Sequence, residues 1–295
     1  MAAGERSVEW PTVAVAVATY GGWLLLTAWH DAVGTPILIL AGGWLIAWHG
    51  SLQHETIHGH PTRGTAINRA IGFVPLSLWL PYGLYHRSHV AHHGCAAITD
   101  PRHDPESRYA ERPGGPAWLA ARVQATLPGH MLLGPPISVA RFLIGEVRRL
   151  GAGPLQVARD WLPHLAAVAL VLLWLDHVGM GTGAYILTFV YPGMVLTGVR
   201  SFAEHRAGVG APGRAASVER GGVLGLLFLN NNLHAAHHER PGLGWYRLPA
   251  YHREHRARLI GDGAVLYAGY GAVVRRFVAR RHDAPIHPAC AREAA

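Results

Sequence analysis

The sequence predicts an all-α, polytopic membrane protein with a histidine-rich cap outside the bilayer. Three observations predict it. Half of the 295 residues are hydrophobic and 15% are charged, against about 25% charged in an average soluble domain. Four apolar runs read as membrane-crossing helices, joined in two hairpins. The histidines gather at helical spacing just beyond the ends of those runs.

Met1 to Trp10 is a short polar tail. The apolar run after it, Thr12 to Trp29, lacks a small-x-small cleavage site, so it reads as an uncleaved membrane helix. Its length of about 18 residues gives roughly 27 Å, enough to cross a bilayer core. A short turn, His30 to Thr35, leads to Pro36, which suits the first turn of a second helix running to about Gly50 and on into His54 and His58. His60-Pro61-Thr62-Arg63-Gly64 breaks that helix. Ala66 to Leu80 is a shorter apolar stretch, compatible with an interfacial helix or one that dips into the membrane. It leads into His86–His93.

Residues 94–129 are polar and rich in proline, glycine and acid, the composition of a cytosolic loop. Met131 to Leu150 mixes Arg141, Arg148 and Arg149 with aliphatics, as in a helix lying at a membrane surface. Trp161 to Leu175 and Ala184 to Val199 are the third and fourth spans. Gly221 to Asn232 is apolar and short, and residues 282–295 form a C-terminal tail. No internal repeat beyond the two hairpins is visible, so residues 1–295 read as one membrane domain.

The chain has no lysine and a net charge of +8. A basic balance suits anionic lipid, an acidic partner or nucleic acid, and the apolar spans with no nucleic-acid-binding motif exclude the last. Both inter-span turns, 30–35 and 176–183, lack arginine, whereas the long loops contain several. The positive-inside rule then places both termini and the histidine clusters in the cytosol of a bacterial inner membrane. Cys95 and Cys290 lie in no CxxC pair and build no disulfide framework.

His89, His92 and His93 follow an i, i+3, i+4 pattern, which places three imidazoles on one helical face. The same spacing recurs at His234, His237 and His238, and His54 and His58 stand at i, i+4. Neutral imidazole binds zinc, copper, iron or nickel. Eight such ligands, nine with His205, exceed the four that one tetrahedral ion needs and suggest two metals. Glu55, Asp100, Asp104, Glu106, Glu204 and Glu239 could orient the rings by accepting their second N–H. Direct carboxylate ligation is disfavoured, because Glu55–His58 is the one clear Glu-x-x-His pair. His60 and His86 are additional, with supporting or surface roles.

Simpler readings suit the other polar residues. The isolated His30, His49, His130, His164 and His177 read as interfacial anchors, and His252 and His255 as surface residues. Asn230, Asn231 and Asn232 read as helix caps, with holding a water on the metal as the alternative, and Tyr82 and Tyr85 as membrane-belt residues. The arginine-rich surface reads first as lipid-facing, and a docking face for an acidic ferredoxin at Arg253, Arg256 and Arg258 is the further hypothesis.

His54-Glu55-Thr56-Ile57-His58, His89-Val90-Ala91-His92-His93 and His234-Ala235-Ala236-His237-His238, with their order and placement, resemble the membrane fatty acid desaturase superfamily over about residues 35 to 250. The acidic loop Thr99-Asp100-Pro101 through Asp104-Pro105-Glu106 shares that resemblance, and His205 matches the family's extra histidine on the last membrane helix. The resemblance implies two non-haem iron ions held almost wholly by histidine, and O₂ and an external electron donor of ferredoxin, rubredoxin or cytochrome type. It also implies attack on an unactivated C–H bond, with a fatty acyl chain as substrate. A small amphiphilic metabolite or a carotenoid ring is the alternative substrate. A metal carrier is the non-enzymatic alternative, although carriers usually set their ligands near the bilayer midplane.

Overall fold

The computed structural model describes residues 8–208, 215–261 and 263–293. In chain order the elements are α1 (Trp10–Ala28), α2 (Thr35–Ile57), α3 (Thr65–Phe73), α4 (Tyr82–His93), α5 (Gly115–Val123), α6 (Gly134–Ala152) and α7 (Pro154–His177). There follow α8 (Thr182–Tyr185), α9 (Tyr191–Glu204), β1 (Ala216–Arg220), α10 (Gly222–Leu227), α11 (His234–Glu239), α12 (Leu248–Gly261), β2 (Val265–Gly269), α13 (Tyr270–Phe277) and α14 (Pro288–Glu293). The chain divides into two compact units, Met1–His86 with Ser138–Leu196, and Arg87–Ile137 with Thr197–Ala295.

Four segments have the length and hydropathy to cross a membrane: Trp10–Ala28, Thr35–Ile57, Pro154–His177 and Thr182–Glu204. Proline sits in the first turn of α1, α2 and α7, where its missing N–H costs no helical bond. The fourth span joins α8 to α9 through a π-type turn, Ile186–Val190. Leu162, Leu165, Leu170 and Leu173 of α7 are exposed, an apolar face that lipid would cover. Ala66 to Leu80 is not among the spans: α3 ends at Phe73, and Val74 to Pro81 is irregular.

In the first unit Trp23, Leu38, Ile46, Val171, Leu175, Tyr185 and Phe189 form the core. Trp23 and Tyr185 satisfy their polar atoms inside it. The Trp23 indole donates to the Tyr185 hydroxyl at 2.9 Å, and that hydroxyl donates to the Leu76 carbonyl at 2.6 Å. His49 and His164 are buried here rather than anchoring at an interface, and the His164 Nε2 lies 3.0 Å from the Leu78 carbonyl. Tyr82 is likewise buried, its hydroxyl 3.0 Å from Thr56 Oγ1, not a belt residue. The small residues of α2 let the backbones close up, since a Cβ on Gly42 would stand 2.7 Å from the Phe189 ring and 2.8 Å from the Thr188 carbonyl. Gly42→Leu is therefore expected to lower stability by about 1–3 kcal/mol through overpacking. Thermal melts of the detergent-solubilised protein check this, and an unchanged melting temperature would refute the close approach.

The second unit holds a feature the helical periodicity did not announce. β1 and β2 form a two-stranded parallel pair, with Ala216 opposite Val265 and Val218 opposite Tyr267. Gly263 precedes a five-residue strand that Gly269 closes, too short for a helix, in which Val265 and Tyr267 favour extended backbone. Val218 also donates its N–H to the Asn232 carbonyl at 2.7 Å, and its carbonyl accepts from Asn232 Nδ2 at 2.7 Å. β1 thus fixes the segment that leads into α11. The 94–129 loop is partly helical, through α5, and is tied to the C-terminal segment. Ala110 donates to the Pro285 carbonyl at 2.9 Å, and Asp283 accepts from Tyr109 and Arg206. His252 is buried against Glu219 at 3.2 Å, contrary to its surface reading. Arg256 pairs with Glu219 and Arg258 with Glu239, so two of the three arginines of the expected docking face are spent internally.

Candidate metal centre

Within the second unit α4 presents His89, His92 and His93, the end of α9 leads to His205, and α11 presents His234, His237 and His238. The ligating nitrogens of His92, His205, His234 and His238 all lie within 4.8 Å of one another. Around that set Nε2 faces Nε2: His92 to His205 at 3.2 Å, His205 to His234 at 2.9 Å, His234 to His238 at 3.0 Å and His238 to His92 at 3.3 Å. The nitrogens of His89, His93 and His237 form a second set within the same limit, with His89 and His237 at 3.1 and 3.2 Å from His93. The His93 and His238 rings stack at 4.3 Å, which joins the two sets.

The opposite side of these rings explains why the nitrogens converge. A neutral imidazole carries one N–H. His92 Nδ1 lies 2.9 Å from Asp104 Oδ1, and His89 Nδ1 lies 3.1 Å from Glu106 Oε1. A carboxylate only accepts, so the proton stands on Nδ1 and Nε2 keeps its lone pair. His234 Nδ1 is held in the same way by Asn231 Oδ1 at 3.1 Å, with Glu204 Oε1 at 3.4 Å. Asp104 is itself fixed by the N–H groups of Thr99 and Glu106 at 2.7 and 2.9 Å.

Two nitrogens about 3 Å apart repel when both present lone pairs, and are held when one carries a proton or a cation lies between them. A second ring proton is disfavoured at His93, His234 and His238. Burial and the neighbouring imidazoles push His93 down to about 3, and push His234 and His238 well below the ordinary histidine value. His92 is the exception: burial opposes its charge, but Asp104, Glu106 and Glu204 outweigh that and raise it. Donors each about 2.1 Å from one ion stand roughly 3.0 to 3.4 Å apart in octahedral or tetrahedral shells, and the observed spacing falls at that scale. The residues therefore fit an imidazole-bound metal. Carboxylates behind the rings are the usual support for such ligands.

In the first unit His54 and Glu55 are buried at the end of α2, with His54 Nδ1 3.8 Å from Glu55 Oε1, and the His54 and His58 rings meet edge-on at 4.7 Å. His60 is held by Glu9 at 2.7 Å, and His86 packs edge-on to Tyr82 at 6.2 Å. Asp100 faces the Arg102 guanidinium through both oxygens. Glu204 pairs with Arg200 at 3.1 Å as well as approaching His234. Glu239 is exposed and bound to Arg258.

Asn231 is the residue whose part sequence reasoning missed. None of the three asparagines caps α11, whose N-cap is Leu233 with no side-chain cap bond. Asn231 orients His234, Asn232 holds β1, and Asn230 donates to the Trp245 carbonyl. The i, i+3 spacing of Asn231 and His234 was the available sign.

Fold and site together define an all-α protein with four candidate membrane spans and histidine clusters able to bind metal. The family model described as fatty acid desaturase matches residues 27–270, and the chain belongs to that family. No curated protein matches it. Membership makes the chain an oxidoreductase of the desaturase and oxygenase type.

Proposed function

We propose that the protein is a membrane-bound di-iron oxidoreductase that uses O₂ and electrons from an external ferredoxin, rubredoxin or cytochrome-type donor. Its substrate is a fatty acyl chain, desaturated or hydroxylated at an unactivated C–H position. The observation that carries this reading is the set of four convergent Nε2 atoms, of which two rings have Nδ1 held from behind by Asp104 and Asn231.

Two iron ions would supply the reduction of O₂ and the removal of hydrogen from carbon. In this proposal His92, His205, His234 and His238 are ligands of one, and His89, His93 and His237 serve the other. His54 and His58 are assigned as ligands from their sequence pattern. Asp104, Glu106, Asn231 and Glu204 keep the Nδ1 protons in place and so keep each Nε2 a donor. The desaturase-like domain extends over residues 1–295, a multi-pass protein of a bacterial inner membrane with termini and centre cytosolic.

Metal analysis of the purified protein is expected to find about two equivalents of iron per chain, and cells expressing it to gain a new double bond or hydroxyl in bulk lipid that His89→Ala abolishes. Unchanged lipids with an altered small metabolite would move the substrate to an amphiphile. Metal uptake into vesicles without oxygen consumption would overturn the enzymatic reading.

A further inference from the structure

A second kind of donor set lies in the same unit. The ligating atoms of Asp100, His287 and Cys290 all lie within 4.8 Å of one another. All three residues are buried, at 4%, 1% and 7% exposure. Asp100 belongs to the acidic loop, whereas His287 and Cys290 stand at the start of α14, i and i+3, where the Cys290 N–H donates to the His287 carbonyl at 3.0 Å. The backbone already holds the two segments in register: His287 donates its N–H to the Ala110 carbonyl at 3.0 Å, and Ala110 to Pro285. His287 Nε2 lies 3.0 Å from Thr99 Oγ1, and the Arg102 guanidinium takes one lone pair on each Asp100 oxygen. Oδ1 also accepts the Arg102 backbone N–H at 3.1 Å, so the lone pair left to give is on Oδ2.

We propose that Asp100, His287 and Cys290 form a separate structural site for one zinc-class divalent cation, which clamps the C-terminal segment onto the acidic loop. Thiolate, imidazole and carboxylate together are a donor set for zinc rather than for a hard cation, with water as the fourth ligand. On binding, Cys290 gives up its thiol proton to solvent. A dication with one thiolate and one carboxylate is then neutral, which suits burial.

The clamp falls one residue from Thr99, whose N–H holds Asp104, which in turn holds His92. It thereby stiffens the loop that orients a histidine of the main cluster. The inference does not rest on which metal the histidines bind.

The test uses the full-length protein in detergent, stripped with chelator and reloaded with cobalt(II). Cobalt bound by a thiolate gives an intense near-ultraviolet charge-transfer band, which histidine ligands do not. Wild type is expected to show this band, and Cys290→Ser to lose it together with about one equivalent of cobalt while the histidine-bound cobalt persists. The chain has two cysteines, so Cys95→Ser decides the matter if Cys290→Ser fails to fold: the band must survive in it. A wild type without the band, or a band lost in Cys95→Ser, overturns the site.

Discussion

His234→Ala is expected to remove about one equivalent of bound metal and to lower turnover by more than about 100-fold, beyond what loss of a residue behind the ligands usually costs. His234 is buried, its Nε2 meets both His205 and His238, and its Nδ1 is already committed to Asn231. Alanine there leaves three nitrogens of that set and a gap no neighbouring side chain fills. The fold should survive. α11 is held by Leu233, Ala235 and Ala236 packing on Leu248 and Leu259. His252→Ala is the control, a buried histidine paired with Glu219 away from the cluster. Metal analysis and size-exclusion chromatography of both variants check this. Full metal content in His234→Ala would remove the residue from the centre.

The periodic features were the legible ones. Each span reads as an apolar run because lipid-facing and core-facing residues are both apolar, and the histidine triplets read as one-sided because i, i+3 and i+4 share a helical face. What hydropathy cannot give is the partner of a polar side chain. His49 and His164 look like belt residues because histidine suits an interface, yet tertiary packing buries both. Asp104 and Glu239 are equally near histidines in sequence. One lies behind His92 because Thr99 and Glu106 turn their N–H groups onto it, while the other points to Arg258. The β1–β2 pair joins residues about fifty apart, a non-local contact with no periodic signature in so short a run.

Asp104→Asn should weaken metal binding by about 10- to 100-fold with every histidine still present. An amide can still accept from His92 Nδ1 and the Glu106 N–H, but its NH₂ then faces the Thr99 N–H, two buried donors opposed, at a cost of about 1–3 kcal/mol. The charge matters too, and its sign is testable in the metal-free protein. Burial raises Asp104, but His92 and the two backbone N–H groups outweigh it and hold the carboxyl below its ordinary value. That contribution to stability is complete above about pH 3.9 and is lost as pH falls through the folded value. His92 is raised, so its contribution is complete below about pH 6.5 and is lost as pH rises through the folded value. Chelated wild type should therefore gain most from the pair between about pH 4 and 6.5, and Asp104→Asn should flatten that maximum. Metal requires His92 neutral, so affinity should climb with pH through the raised His92 value in wild type and at lower pH in the variant. Melting temperatures and metal titrations across the range decide it: identical pH profiles for the two proteins would mean that Asp104 does not hold His92.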